Sequence, residues 1–141
     1  MFDNVLVAFD GSDLSVKALE MGRDLCELSG GKLHVMHVNL VAASLLSQAK
    51  GSPALQEMLD TAGDKVEAQA KEALSDAKCE YEVIVIDAPA PAKPLNEYAN
   101  RHDIDLIIMG SRGLGTMKQY FGSVAHALLN ITKVPTTIIK G

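Results

Sequence analysis

Leu106-Ile107-Ile108-Met109-Gly110-Ser111-Arg112-Gly113, followed after Leu114 to Phe121 by Gly122-Ser123-Val124, is the stretch that decides the fold. An aliphatic run of strand length breaks into glycines and small polar residues. An apolar segment at helical spacing then begins after Ser123. A strand that ends in glycine and feeds a helix start leaves backbone N–H groups facing outward, and such a turn suits a phosphate.

Working outward, the same alternation repeats. Asn4-Val5-Leu6-Val7-Ala8-Phe9 is continuously apolar, as a central parallel strand is. Asp10-Gly11-Ser12-Asp13 ends it, and Ser12 or Asp13 caps a helix whose apolar positions are Ala18, Met21, Gly22, Leu25 and Leu28. Ser29-Gly30-Gly31 stops that helix. Leu33 to Val38 is a second strand, with His34 and His37 on opposite faces by the period of two, so the pair cannot share a metal. A weakly patterned connection from Asn39 reaches Gly51-Ser52-Pro53. There Pro53 opens a long helix carrying Leu55, Leu59, Ala62, Val66, Ala70, Leu74 and Ala77. Cys79 to Ile86 is a third strand. The proline-rich run Asp87 to Lys93 is irregular until Pro94 opens a short helix to His102. Val124, Ala127, Leu128 and Ile131 give a last helical stripe. Val134-Pro135 breaks it before the strand Thr136-Thr137-Ile138-Ile139.

Strands alternating with helices predict an α/β domain: an open five-stranded parallel sheet, helices on both faces, joined by right-handed crossovers. Ligands bind such sheets at the carboxyl ends of the strands, where the winding direction reverses. With strand order 3-2-1-4-5, that point falls between the first and fourth strands, and Asp10 faces Gly110 across one crevice.

Composition agrees and excludes other classes. The 141 residues fit one domain spanning 1–141, 48% of them are hydrophobic, only 4% are aromatic, and tryptophan is absent, so the core is aliphatic. A net charge of −5 with scattered basic residues argues against a nucleic-acid footprint or a polybasic membrane patch. No apolar run approaches the roughly 20 residues of a membrane span. The chain enters its first strand with no leader pattern, and Cys26 and Cys79 lack metal-ligand spacing. Both point to reduced thiols in a cytoplasmic protein.

A nucleotide in the crevice makes three demands. Phosphates need backbone donors that approach closely, offered by Gly110, Gly113, Gly122 and Ser123. The ribose, or a Mg²⁺ ion, needs an oxygen ligand, and Asp10 stands at a strand end to supply it. The base needs an apolar slot with backbone partners, which the end of the second strand around Val38 provides. Arg112 and Lys118 add charge. Each residue also has an ordinary role, the glycines as turn formers and Asp10 as a local cap.

Val7-Ala8-Phe9-Asp10-Gly11-Ser12, Leu33-His34-Val35-Met36-His37-Val38, Asp105 to Gly113, Gly122-Ser123-Val124 and Val134-Pro135 together resemble the universal stress protein family, in order and over the whole chain. The resemblance implies a Rossmann-like fold of the adenine nucleotide alpha hydrolase type, and a homodimer paired through the last strand, Thr136 to Ile139. One branch of that family binds ATP through glycine–two residues–glycine–nine residues–glycine–Ser/Thr. On the matching positions Asp10, Val38, Met109, Gly110, Gly113, Gly122, Ser123 and Val124 would line ATP, with Ala8 a further backbone contact. Two positions depart from the pattern. Eight residues, not nine, separate Gly113 from Gly122, and Asp87-Ala88-Pro89 stands where the family often has glycine before proline.

The leading expectation is an ATP-binding regulatory protein acting through a partner not legible in the sequence. A slow ATPase or adenylyl transferase ranks lower, because His126 just past the loop reads as a surface histidine and no general base or nucleophile is evident. A dimeric interaction module without nucleotide is the third reading.

Overall fold

Five aliphatic runs pair in parallel and helices close over both sides of the resulting sheet. A computed structural model describes residues 1–112 and 123–141. Its elements are β1 (Asn4–Ala8), α1 (Asp13–Ser29), β2 (Lys32–Leu40), α2 (Ala43–Ala49), α3 (Pro53–Ala73), β3 (Glu80–Ala88), α4 (Ala92–Arg101), β4 (Leu106–Gly110), α5 (Ser123–Ile131) and β5 (Thr136–Ile139). The strand order is β3-β2-β1-β4-β5, the order assumed in placing the crevice. Val5 lies opposite Leu33 on one side and Leu106 on the other, so β1 is central.

Alternate side chains of the strands feed two cores. Val5, Val7, Leu33, Val35 and Ile108 pack with Ala18, Leu19 and Cys26 of α1 and Ala70 of α3. Leu6, Met36, Val38, Ile107 and Met109 pack with Ala92, Leu95 and Ala99 of α4 and with Ala125 and Leu128 of α5. Burial on both faces explains why the central strands read as unbroken apolar runs.

Four local expectations are corrected. The connection after Asn39 contains α2, a seven-residue helix too short to show a helical period and without a side-chain N-cap at Ala42. β3 extends through Asp87 and Ala88, because β2 runs on to Leu40 and pairs with it. α4 begins at Ala92, which puts Pro94 inside the first turn, where a missing N–H leaves no intrahelical bond unmade.

The contact faces of α1 and α5 form the fourth. α1 buries Leu14, Ser15, Ala18, Leu19, Gly22 and Cys26, whereas Met21 and Leu28 are exposed at 39% and 87%. A Cβ on Gly22 would stand 2.7 Å from Val7 Cγ2 and 2.8 Å from Leu33 Cδ1. Gly22 therefore lets the helix lie close against the sheet, with Leu14, Leu19 and Cys26 buried beside it. On α5, Ala127 and Ile131 face outward while Ala125 and Leu128 are buried. The caps fall as expected: Ser12 Oγ accepts from Ser15 N–H at 3.3 Å, and Gly30 closes α1 at φ 78°.

Candidate functional site

The crevice begins where β1 stops. Phe9 N–H still donates to Met36 O at 2.9 Å, and the chain then leaves the sheet at Asp10. Ser12 N–H donates to Asp10 Oδ1 at 2.8 Å, so one carboxylate oxygen holds the turn into α1. Gly11 makes that turn at φ +87°, a conformation that favours glycine.

On the other side, β4 ends at Gly110. A Cβ there would lie 2.8 Å from Leu14 Cβ and 3.2 Å from Arg112 O, so the glycine lets β4 approach α1. Ser111 N–H continues the sheet by donating to Ile139 O at 2.8 Å. The chain leaves β1 toward one face of the sheet and re-enters from α5 on the other. The strand ends part between them, as at any topological switch point.

A cavity of about 520 Å³ occupies this place, within the range of small-molecule sites. Ala8, Val38 and Met109 form its floor, Val124 and Ala125 at the start of α5 one wall, and Leu59, Ala62 and Val66 of α3 its roof. Its polar groups include Asp10, Arg112, His37 and Asn39. Because Met36 O meets Phe9 N–H, the backbone groups of Met36 point toward β1. Those of Val38, two residues on, point to the same side, past the place where β1 has turned away. A donor and an acceptor thus face the crevice from one residue.

Of the residues singled out from the sequence, Ala8, Asp10, Val38, Met109, Gly110, Arg112 and Val124 all line this one cavity. Ser123 is the first residue of α5. Gly113, Gly122, Lys118 and the eight-residue spacing between the two glycines lie outside the described residues. His126 is exposed on α5 and does not line the cavity.

Sequence reasoning missed the α3 roof, whose residues read as ordinary core positions, and a polar chain beneath it. His37 Nδ1 lies 2.9 Å from Phe9 O and its Nε2 lies 2.9 Å from Asn39 Oδ1. Asn39 Nδ2 donates to Leu59 O at 3.2 Å and to Asp87 Oδ1 at 3.0 Å. Gly63 permits this approach, since a Cβ there would stand 2.9 Å from Asn39 Nδ2.

The other histidine of β2 points away, beneath α4. His34 is 3% exposed; Tyr98 Oη lies 2.7 Å from its Nδ1 and Asn4 Oδ1 lies 3.0 Å from its Nε2. Burial, helped by Lys32, pushes His34 down to about 4, and burial pushes Tyr98 up to about 12. The ring is therefore neutral, with Tyr98 donating to Nδ1 and Nε2–H donating to Asn4. Both cysteines are free thiols, and burial pushes Cys26 up to about 12. Among the described residues no group of three His, Cys, Asp or Glu side chains is placed to hold a metal, and no helix is long and apolar enough to cross a membrane.

A parallel α/β sheet in the order 3-2-1-4-5, with an apolar crevice at its switch point, defines a Rossmann-like domain. The chain belongs to the universal stress protein family, whose model matches residues 1–140. It is 30% identical over 149 residues to universal stress protein YxiE of Bacillus subtilis, with 99% of this chain and all of that protein covered. It is likewise 30% identical over 141 residues to a universal stress protein of Thermus aquaticus, covering 99% of this chain and all of the relative. Among solved structures, the hypothetical protein MJ0577 superposes with a TM-score of 0.83 at 21% identity, over 100% of this chain and 97% of that one. A universal stress protein from Archaeoglobus fulgidus, solved in complex with dAMP, matches at a TM-score of 0.69 and 20% identity, over 97% of each chain.

Proposed function

We propose that the crevice binds an adenine nucleotide, ATP in the first instance, and that the occupied protein acts on a partner as a regulator. The observation that carries this reading is convergence. Six residues of the nucleotide pattern, Ala8, Asp10, Val38, Met109, Gly110 and Val124, line one cavity together with Arg112. The base fits the apolar floor and the backbone donor and acceptor of Val38. The phosphates would go to Gly110, Arg112 and the start of α5 at Ser123, since helix N-termini favour anions, and to Gly113 and Gly122 of the family pattern. Asp10 is the oxygen ligand for the ribose or for a Mg²⁺ ion. Support also comes from proteins of the same fold solved in complex with cAMP and with dAMP.

The same reading has the chain working as one domain in the cytoplasm, as a homodimer joined through β5. That strand is an edge of the sheet and its residues are half-buried. An edge strand of Thr and Ile presents unpaired backbone groups to a second copy.

Thermal unfolding with and without Mg-ATP tests the proposal. A ligand held only by the folded state, at about a hundredfold excess over Kd, adds about 2.7 kcal/mol and raises Tm by several degrees. Gly113→Val, which puts a side chain at the second glycine of the phosphate pattern, should abolish the shift. An unmoved melting curve together with no heat in calorimetry would refute nucleotide binding.

A further inference from the structure

We infer that His37 and Asn39 are positioning residues for the nucleotide pocket, and that His37 performs this role as the doubly protonated ring. The inference rests on the nucleotide reading above and adds to it a dependence of binding on protons.

The hydrogen-bond inventory of the chain from Phe9 to Asp87 leads there. Asn39 has one acceptor oxygen and two N–H donors. Its Nδ2 faces two acceptors, Leu59 O and Asp87 Oδ1, which fixes the amide and leaves Oδ1 toward His37. The His37 ring therefore lies between two acceptors, Asn39 Oδ1 on one side and Phe9 O on the other, each at 2.9 Å. A neutral imidazole has one N–H and meets one of them. The imidazolium has two and meets both.

With both ring nitrogens and the whole amide committed, neither side chain keeps a polar atom for a ligand. They act through what they hold. Phe9 O belongs to the Phe9–Asp10 peptide, so His37 fixes the entry to the Asp10 turn. Leu59 O belongs to α3, so Asn39 fixes the roof of the cavity. Loss of one proton from His37 frees either the Asp10 turn or the roof, and both bound the same cavity.

Among the described residues, the charged groups around the chain are Asp10 on the turn after β1, Asp87 on β3, Asp60 and Asp64 on α3, and Arg112 across the crevice. Asp60, Asp64 and Asp87 line a second cavity of about 330 Å³ that shares Asn39. His34 is turned to the opposite face and is held neutral, so it does not enter.

The experiment is ATP affinity by calorimetry from about pH 8 to about pH 5.5, the span over which histidines change charge, for the wild-type protein and His37→Gln. Glutamine keeps one donor and cannot gain a second. The titration of ATP itself is common to both proteins and cancels in their ratio. The wild-type advantage over the variant should grow about three- to tenfold toward the acid end, the worth of one partly buried hydrogen bond. A ratio that does not change with pH overturns the positioning role and leaves nucleotide binding standing. Failure of both proteins to bind ATP at any pH overturns the nucleotide reading, and this inference with it. If His37→Gln does not fold, the wild type alone decides: calorimetry in two buffers of different ionisation enthalpy should show proton uptake beyond that of ATP, and no excess uptake refutes the inference.

Discussion

His34 and His37 stand three residues apart on β2, and the two faces of that strand treat the same side chain in opposite ways. Under α4, His34 has one donor and one acceptor beside it, Tyr98 and Asn4, which is what a neutral ring needs. Under α3, at the mouth of the crevice, His37 has an acceptor beside each ring nitrogen and, among the described residues, no donor. The first environment is complete without a proton, whereas the second is complete only with one. Sequence position says nothing of this difference, since it comes from which groups the neighbouring elements bring. A site in this fold is thus marked less by residue type than by a mismatch between a ring and its partners.

The largest effect expected from this contrast is in stability against pH. His34 is pushed down to about 4 in the folded protein and returns to about 6.5 when the chain unfolds. Between those values the unfolded chain binds more protons, so the stabilisation is whole above the upper value and is lost as pH falls through the lower one. The full loss is on the order of 3 kcal/mol, with about 2 kcal/mol of it between about pH 7 and pH 5. Urea unfolding of wild type and His34→Gln at the two pH values should show the wild type losing that much more. Equal losses would remove the contrast between the two histidines.

A smaller effect isolates one bond. Tyr98→Phe leaves His34 Nδ1 buried without its donor and should cost about 1–2 kcal/mol, read as a lower urea midpoint at unchanged slope. An unmoved midpoint would show that the α4 face does not depend on that hydroxyl.

The smallest sharpens the other face. Gly63→Ala puts a methyl 2.8 Å from Val85 Cγ1 and 2.9 Å from Asn39 Nδ2. Overpacking costs about 1–3 kcal/mol, and alanine recovers roughly 1 kcal/mol of helix propensity, so a net loss of about 1 kcal/mol is expected in chemical denaturation. A net gain would mean that the Asn39 amide gives way easily and is not the fixed post described above.

What was legible in the sequence follows the range of the interactions concerned. The central strands β1, β2 and β4 were readable because burial on both faces makes them nearly continuous apolar runs, and the Gly110 turn because its residues are adjacent. The strand order was assumed, since pairing between distant segments leaves no mark along the chain. Of the floor of the crevice, Val38 came with the end of the second strand, and Ala8 and Met109 came from the resemblance to the family. The roof did not, because Leu59, Ala62 and Val66 carry the same helical spacing whether they cover a cavity or a core. The face of α1 was read correctly at Ala18 and Gly22 but turned too far toward Met21 and Leu28, and it missed Leu14, Leu19 and Cys26. The close approach at Gly22, rather than the hydrophobic ranking, sets how the helix is rotated. His37 was weighed only as a metal ligand. Its partners are a carbonyl from β1 and an amide held by α3 and β3, and nothing along the chain announces that meeting.

The central place of β1 has a consequence for how the chain is made. Val5 pairs with Leu33 on one side and with Leu106 on the other, about a hundred residues later in the chain. During synthesis the first strand of the fold therefore emerges early and keeps one open, apolar edge until β4 arrives. Non-local parallel pairing of this kind is slow, and an uncovered strand edge is exposed to other chains meanwhile. For the growing polypeptide, Val5-Leu6-Val7 stays an apolar strand with one open edge until Leu106 leaves the ribosome and docks.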